Sequence, residues 1–153
     1  MKKPTFLLSI KDERIIKLME KPDKKILAVW AIDCAERVLP FFEKQFPEDK
    51  RPREALKTLQ EWIHSGIFSM ATIRKASLNA HAAAREVGAD TPARSAARAA
   101  GQAVATAHVY THSRGSALYA LQAIHRNTLS EKAVKKEQEW QYKRLLKLSG
   151  DQN

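Results

Sequence analysis

Alanine dominates the chain between residues 71 and 123, and it recurs at the spacing of one helix face: Ala93, Ala96, Ala97, Ala100, Ala103 and Ala107. Alanine is the strongest helix former, and its recurrence on a face argues against low-complexity disorder. A stripe of methyl groups lets neighbouring helix axes approach toward the short end of the usual separation of roughly 8–10 Å. The stretch therefore predicts two or three helices packed tightly against one another. The rest of the chain agrees: it has only five glycines, and no hairpin dipeptide stands between alternating apolar runs. These features predict an all-α, single-domain bundle of six or seven helices with an alanine-rich, tightly packed centre. The domain would span residues 1–153, with 1–22 and 149–153 peripheral.

Local stop and start signals divide the chain. "KDERIIKLME" (11–20) reads as a short helix or turn ending before Pro22. The apolar stretch 23–46 starts at Asp23, a good N-cap, and Pro40 should kink or split it because proline lacks an N–H and crowds the preceding turn. A helix over 52–65 has Pro52 at its start and ends at Gly66 as a C-cap. A helix over 69–87 stops at Gly88, and the next begins with Thr91 as N-cap followed by Pro92. Further helices are expected over 113–126 and from Ser130 onward, with a frayed "GDQN" tail. No fixed period marks a solenoid.

Bulk properties exclude several function classes. With 27 Lys and Arg against 17 acids the net charge is +10, which suits polyanions or an acidic partner and opens a nucleic-acid-binding reading. No apolar run approaches the ~20 residues of a membrane span, and "MKKPTFLLSI" is too short for a signal-peptide core. The expected compartment is the cytoplasm, with no membrane partner. A single cysteine, Cys34, rules out an internal disulfide and reads as a small buried apolar residue. No glycine-rich phosphate loop, nucleotide fingerprint or Ser/His/Asp order is present. No cofactor is expected, and oligomeric state leaves no signal in the sequence.

Polar residues within the predicted bundle raise the functional question. Arg74, Leu78, His81 and Arg85 form one helical stripe; Arg94, Arg98 and Gln102 form another, with His108 and His112 just beyond. Asp33, Glu36 and Arg37 interrupt the apolar segment 23–46. A buried charge without a partner is costly, so Asp33 or Glu36 is expected to pair with one of these Arg or His residues across the core. Three alternatives stand beside this structural network. His108 and His112 at i, i+4 could hold a metal with Asp33 or His81, although the pair lacks the glutamate of zinc-protease motifs. A histidine oriented by Asp33 or Glu36 could act as a general base. The aromatic and basic residues of "KKEQEWQYKRLLK" could bind a nucleic-acid backbone and stack a base, or Trp140 could simply dock that helix.

Four stretches carry a family resemblance: "WAIDCAERVLPFFEKQFPEDKRPREAL", "AHAAARE", "ARAAGQAVATAHVYTH" with "ALYAL" shortly after, and "EQEWQYKRL". Together, over roughly residues 27–146, the chain resembles the immunity proteins of bacterial polymorphic toxin systems, in the all-helical immunity-protein-five-like group. The resemblance implies a small all-α protein without enzymatic activity that binds and neutralises a cognate toxin. By that likeness the residues to carry over are Asp33, Glu36, Arg37, Arg51, Arg53, His81, Arg85, Gln102, His108 and His112. One departure is visible: the pattern would place proline between the two histidines, where Tyr110 stands. Immunity proteins against nucleases are often acidic, so a charge of +10 implies a toxin with an acidic face or a role in nucleic-acid binding.

Overall fold

The computed structural model of the chain describes residue 6, residues 11–20 and residues 23–150. Among these residues there are eight helices and no strand. They are α1 (Glu13–Leu18), α2 (Lys24–Glu36), α3 (Leu39–Glu43), α4 (Arg51–Ser65), α5 (Met70–Glu86), α6 (Pro92–Ala105), α7 (His112–Thr128) and α8 (Glu131–Leu148). The count reaches eight because Pro40 splits the apolar stretch 23–46: α2 ends at Glu36, and Pro40 occupies the first turn of α3, where its missing N–H costs nothing.

The caps form as their side chains dictate. Asp23, Thr91 and Ser130 each accept a hydrogen bond from a backbone N–H of the first turn they precede. Asp12 and Ser69 do the same for α1 and α5. Gly66 closes α4 in the left-handed conformation at φ 70°, which a glycine adopts without Cβ strain. The expected stop at Pro22 and the tail after Gly150 lie outside the described residues.

α6 is the hub. It packs most extensively on α7 and α5 and also touches α2, α3 and α4. Ala93, Ala96, Ala97, Ala99, Ala100 and Ala103 on α6 are all buried, as is Ala107 beyond its end. Larger side chains fill the flank formed by α2, α3 and α4: Leu27, Trp30, Leu39, Phe42, Leu56 and Leu59 are fully enclosed. Cys34 is buried among them, and the loss of solvent pushes its thiol well above the ordinary range, so it behaves as an apolar group.

Helix packing this close places backbone carbonyls within reach of short polar side chains. Ser116 on α7 sits with its Oγ 2.9 Å from Ala99 O and 3.2 Å from Ala31 O, so one buried hydroxyl ties α7 to both α6 and α2. One residue further along α7, the Gln141 amide donates to Ala117 O at 3.0 Å, and the Trp30 indole N–H donates to Gln141 O at 2.9 Å. These bonds fix the register of α8 against α2 and α7.

Candidate functional site

The ten residues singled out by sequence do not converge; the structure divides them into separate groups. Asp33 pairs with Arg144 of α8 at 2.8 Å, and Glu36 accepts from Arg53 of α4. The expected pairing of these acids with an Arg or His of α5 or α6 across the core is therefore corrected. The physical reason is position: the two acids sit on α2 where Arg144 of α8 and Arg53 of α4 reach them, while the buried positions of α2 include Ala28, Ala31 and Ala35, which offer no charge to the core. Arg37 forms a two-point bond to Glu137 (2.6 and 3.0 Å) and lies 4.0 Å over the Trp140 ring. Arg53 also clamps Glu43, holding its carboxyl below the usual range, and so staples α2, α3 and α4 together. Arg51 bridges Asp49 and Glu86, tying the start of α4 to the end of α5. All these groups have intramolecular partners and read as staples between helices.

The second group is different. His81 on α5, Arg98 and Gln102 on α6, and His112 at the start of α7 meet where the three helices come closest. Arg98 donates to His81 Nδ1 at 2.9 Å. A guanidinium has no acceptor, so Nδ1 carries the lone pair and the proton of the neutral ring lies on Nε2. His112 Nδ1 is 2.8 Å from Gln102 Oε1; the amide oxygen accepts, so here the ring proton lies on Nδ1. Burial, then the nearby charges of Arg98, Arg85 and His112, pull the His81 pKa down to about 4. Burial, then the neighbouring His108, lowers that of His112. Both rings are therefore neutral near pH 7.

Two glycines permit this approach. A Cβ on Gly101 would stand 2.7 to 2.9 Å from three atoms of the His81 ring, and one on Gly115 would stand 2.7 Å from Gln102 Oε1. His108 does not share a helix with His112. It lies exposed in the α6–α7 connection, with its ring stacked 6.3 Å from Phe68. The geometry required of an i, i+4 metal pair is absent. Among the described residues no group of three or more His, Cys, Asp or Glu could hold a metal ion.

The Phe68–His108 contact joins two connections, α4–α5 and α6–α7, into one surface. That surface holds most of the large apolar side chains that the described residues expose: Ile67, Phe68, Met70, Leu78, Val109 and Tyr110, between 38% and 76% accessible. Met70, Arg74, Leu78 and Arg85 form an exposed stripe along α5 that continues from it. Isolated exposed apolar residues are ordinary, but six on two adjoining connections and one helix form a patch of the kind that marks an interaction surface. The sequence reading missed this patch. Its one available signal was "IFSM", two large apolar residues standing between the C-cap Gly66 and the N-cap Ser69, where a turn should be polar.

The C-terminal aromatic residues are engaged within the chain. One face of Trp140 is covered by Arg37, and one face of Tyr142 by Arg14 at 4.0 Å. The docking reading of α8 thus accounts for both rings. A cleft of about 730 Å³ between α1, α2 and α8, lined by Lys17, Leu18, Ile26 and Tyr142 among others, contains none of the ten residues. No helix among the described residues is long and apolar enough to cross a membrane.

Compared with known families, residues 17–148 match the model of the family described as Imm-5 like putative immunity protein. No curated protein and no solved structure matches the chain.

Proposed function

We propose, for a chain that belongs to the Imm-5 like putative immunity protein family, a non-enzymatic role: it binds a cognate bacterial toxin and holds it inactive. The observation that carries this reading is the apolar patch of Ile67, Phe68, Met70, Leu78, Val109 and Tyr110. Large side chains at this density lose water contact favourably when a partner covers them, at about 25 cal/mol per Å². The neutral histidine cluster between α5, α6 and α7 supports the reading as well. His81–Arg98 and Gln102–His112 lock the helices that present the surface, so little conformational freedom is lost on association. A non-enzymatic role is supported by the bonding of the two rings: His81 is bonded to Arg98 and His112 to Gln102, and neither partner can act as a nucleophile.

The test is retention of proteins from the source cells by the tagged chain, with and without nuclease treatment. A stoichiometric toxin partner that survives nuclease, and is lost in Phe68→Asp and Met70→Asp, is the expected result. Partners that vanish with nuclease would overturn the reading. They would favour the second one, nucleic-acid binding, which rests on the net charge of +10 and predicts a steep loss of affinity with salt.

A further inference from the structure

Basic residues predominate on the helices that carry the apolar patch. From Trp62 to Arg85, and again from Thr91 to Ser130, the chain contains no aspartate or glutamate. Nearly all of α5 and the whole of α6 and α7 fall within these two runs. Four acids flank them: Glu86 is engaged by Arg51 and Asp90 by Arg94 and Arg126, while Glu61 on α4 and Glu131 on α8 close the outer ends of the two runs. Five further acids serve as helix staples elsewhere: Asp33 and Glu36 on α2, Glu43 on α3, and Glu137 and Glu139 on α8. Among the described residues, Arg74, Lys75 and Arg85 on the exposed side of α5 form no ion pair. Glu20 shares a groove with Tyr110 at one end of the patch, together with Lys11 and Arg114.

From this arrangement we infer that the partner's contact surface is an apolar centre ringed by carboxylates, which seat against Arg74, Lys75 and Arg85 while its apolar side chains cover Phe68, Met70 and Leu78. This inference rests on the toxin-binding reading and specifies the chemistry of that partner. Charge complementarity selects the occupant. A second copy of this chain would bring one cationic face against another and be repelled. A nucleic acid would satisfy the cations but would leave the aliphatic groups of Ile67, Met70 and Leu78 against sugar and phosphate, with no gain from covering them. An acidic protein surface satisfies both.

The test uses the toxin domain of the stoichiometric partner recovered in the retention experiment, produced as an inactive variant, with association followed by surface plasmon resonance at 50 and 300 mM NaCl. Two double variants change the net charge equally. Arg74→Glu with Lys75→Glu alters the face; Lys135→Glu with Lys136→Glu alters exposed lysines of α8, a helix that packs on α1, α2 and α7. The face variant should slow association by about tenfold or more at 50 mM NaCl and remove most of its salt dependence. The α8 variant should stay within about threefold of the parent. Circular dichroism confirms that each variant is folded. Equal effects of the two variants, or none, would overturn the acidic-partner inference, while loss of binding in Phe68→Asp would still uphold toxin binding through this patch. No binding by the parent chain at 50 mM NaCl would overturn both. Tight binding of a 20-nucleotide single strand or duplex that is lost in the face variant, with none of the toxin domain, would identify nucleic acid as the occupant and overturn the inference.

Discussion

His81 should make the protein lose stability in acid in a way one substitution can isolate. In the folded protein its imidazole titrates at about 4, held down by burial and by the charges of Arg98, Arg85 and His112. In the unfolded chain it titrates near 6.5. Between these values the unfolded chain takes up a proton that the folded chain refuses, so unfolding becomes easier as pH falls from about 6.5 toward 4. The full displacement corresponds to about 3 kcal/mol. The ring is only partly buried, and solvent reaching it reduces this to roughly 1 kcal/mol between pH 7 and pH 4.5. His81→Gln removes the titration and keeps a side-chain acceptor for Arg98. Urea unfolding at pH 7 and pH 4.5 should show a stability loss about 1 kcal/mol smaller in the variant than in the parent. Equal losses in the two proteins would refute the reasoning, because the ring would then titrate alike in both states.

Two further substitutions test the packing. Gly101→Ala gains about 1 kcal/mol of helix propensity but drives a methyl group into the His81 ring, which costs roughly 1–3 kcal/mol and breaks the Arg98 bond. The net expectation is a lower Tm by roughly 2–6 °C, and an unchanged or raised Tm would show that the ring moves aside freely. Gln141 carries a buried Oε1 that has no hydrogen-bond partner among the described residues, while its Nε2 bonds Ala117 O. Gln141→Met removes the orphaned acceptor along with that bond and should be neutral or stabilising by about 1 kcal/mol in urea unfolding; a loss above about 1 kcal/mol would mean that the amide is fully satisfied.

How much could be read beforehand followed the distance over which each interaction acts. Asp23, Gly66, Thr91 with Pro92, and Ser130 announce helix ends because a cap acts on backbone within four residues of itself. Pro40 was legible for the same reason. The alanine spacing from Ala93 to Ala107 reported a buried helix because a face is a local property. Partners were another matter. Asp33 and Arg144 stand 111 residues apart, and nothing near either names the other. His108 and His112 looked like one unit in sequence, yet the end of α6 at Ala105 separates them and turns one to Phe68 and the other to Gln102. Apart from the "IFSM" stretch the apolar patch left no signal, for a related reason: periodicity identifies residues that helices bury, whereas these residues lie in connections or on the outward stripe of α5.

The hub role of α6 also bears on how the chain assembles. α6 packs most heavily on α5 and α7, its immediate neighbours along the chain, so the centre forms by closing short connections at small entropic cost. Alanine adds to this, since burying it freezes no side-chain rotamers. A three-helix nucleus of α5, α6 and α7 can therefore organise quickly, with α8 docking afterwards through Gln141. The segment from α5 to α7 carries four of the six exposed patch residues, Met70 and Leu78 on α5 and Val109 and Tyr110 in the α6–α7 connection, so most of the surface proposed to meet the partner belongs to the part of the molecule that can form first.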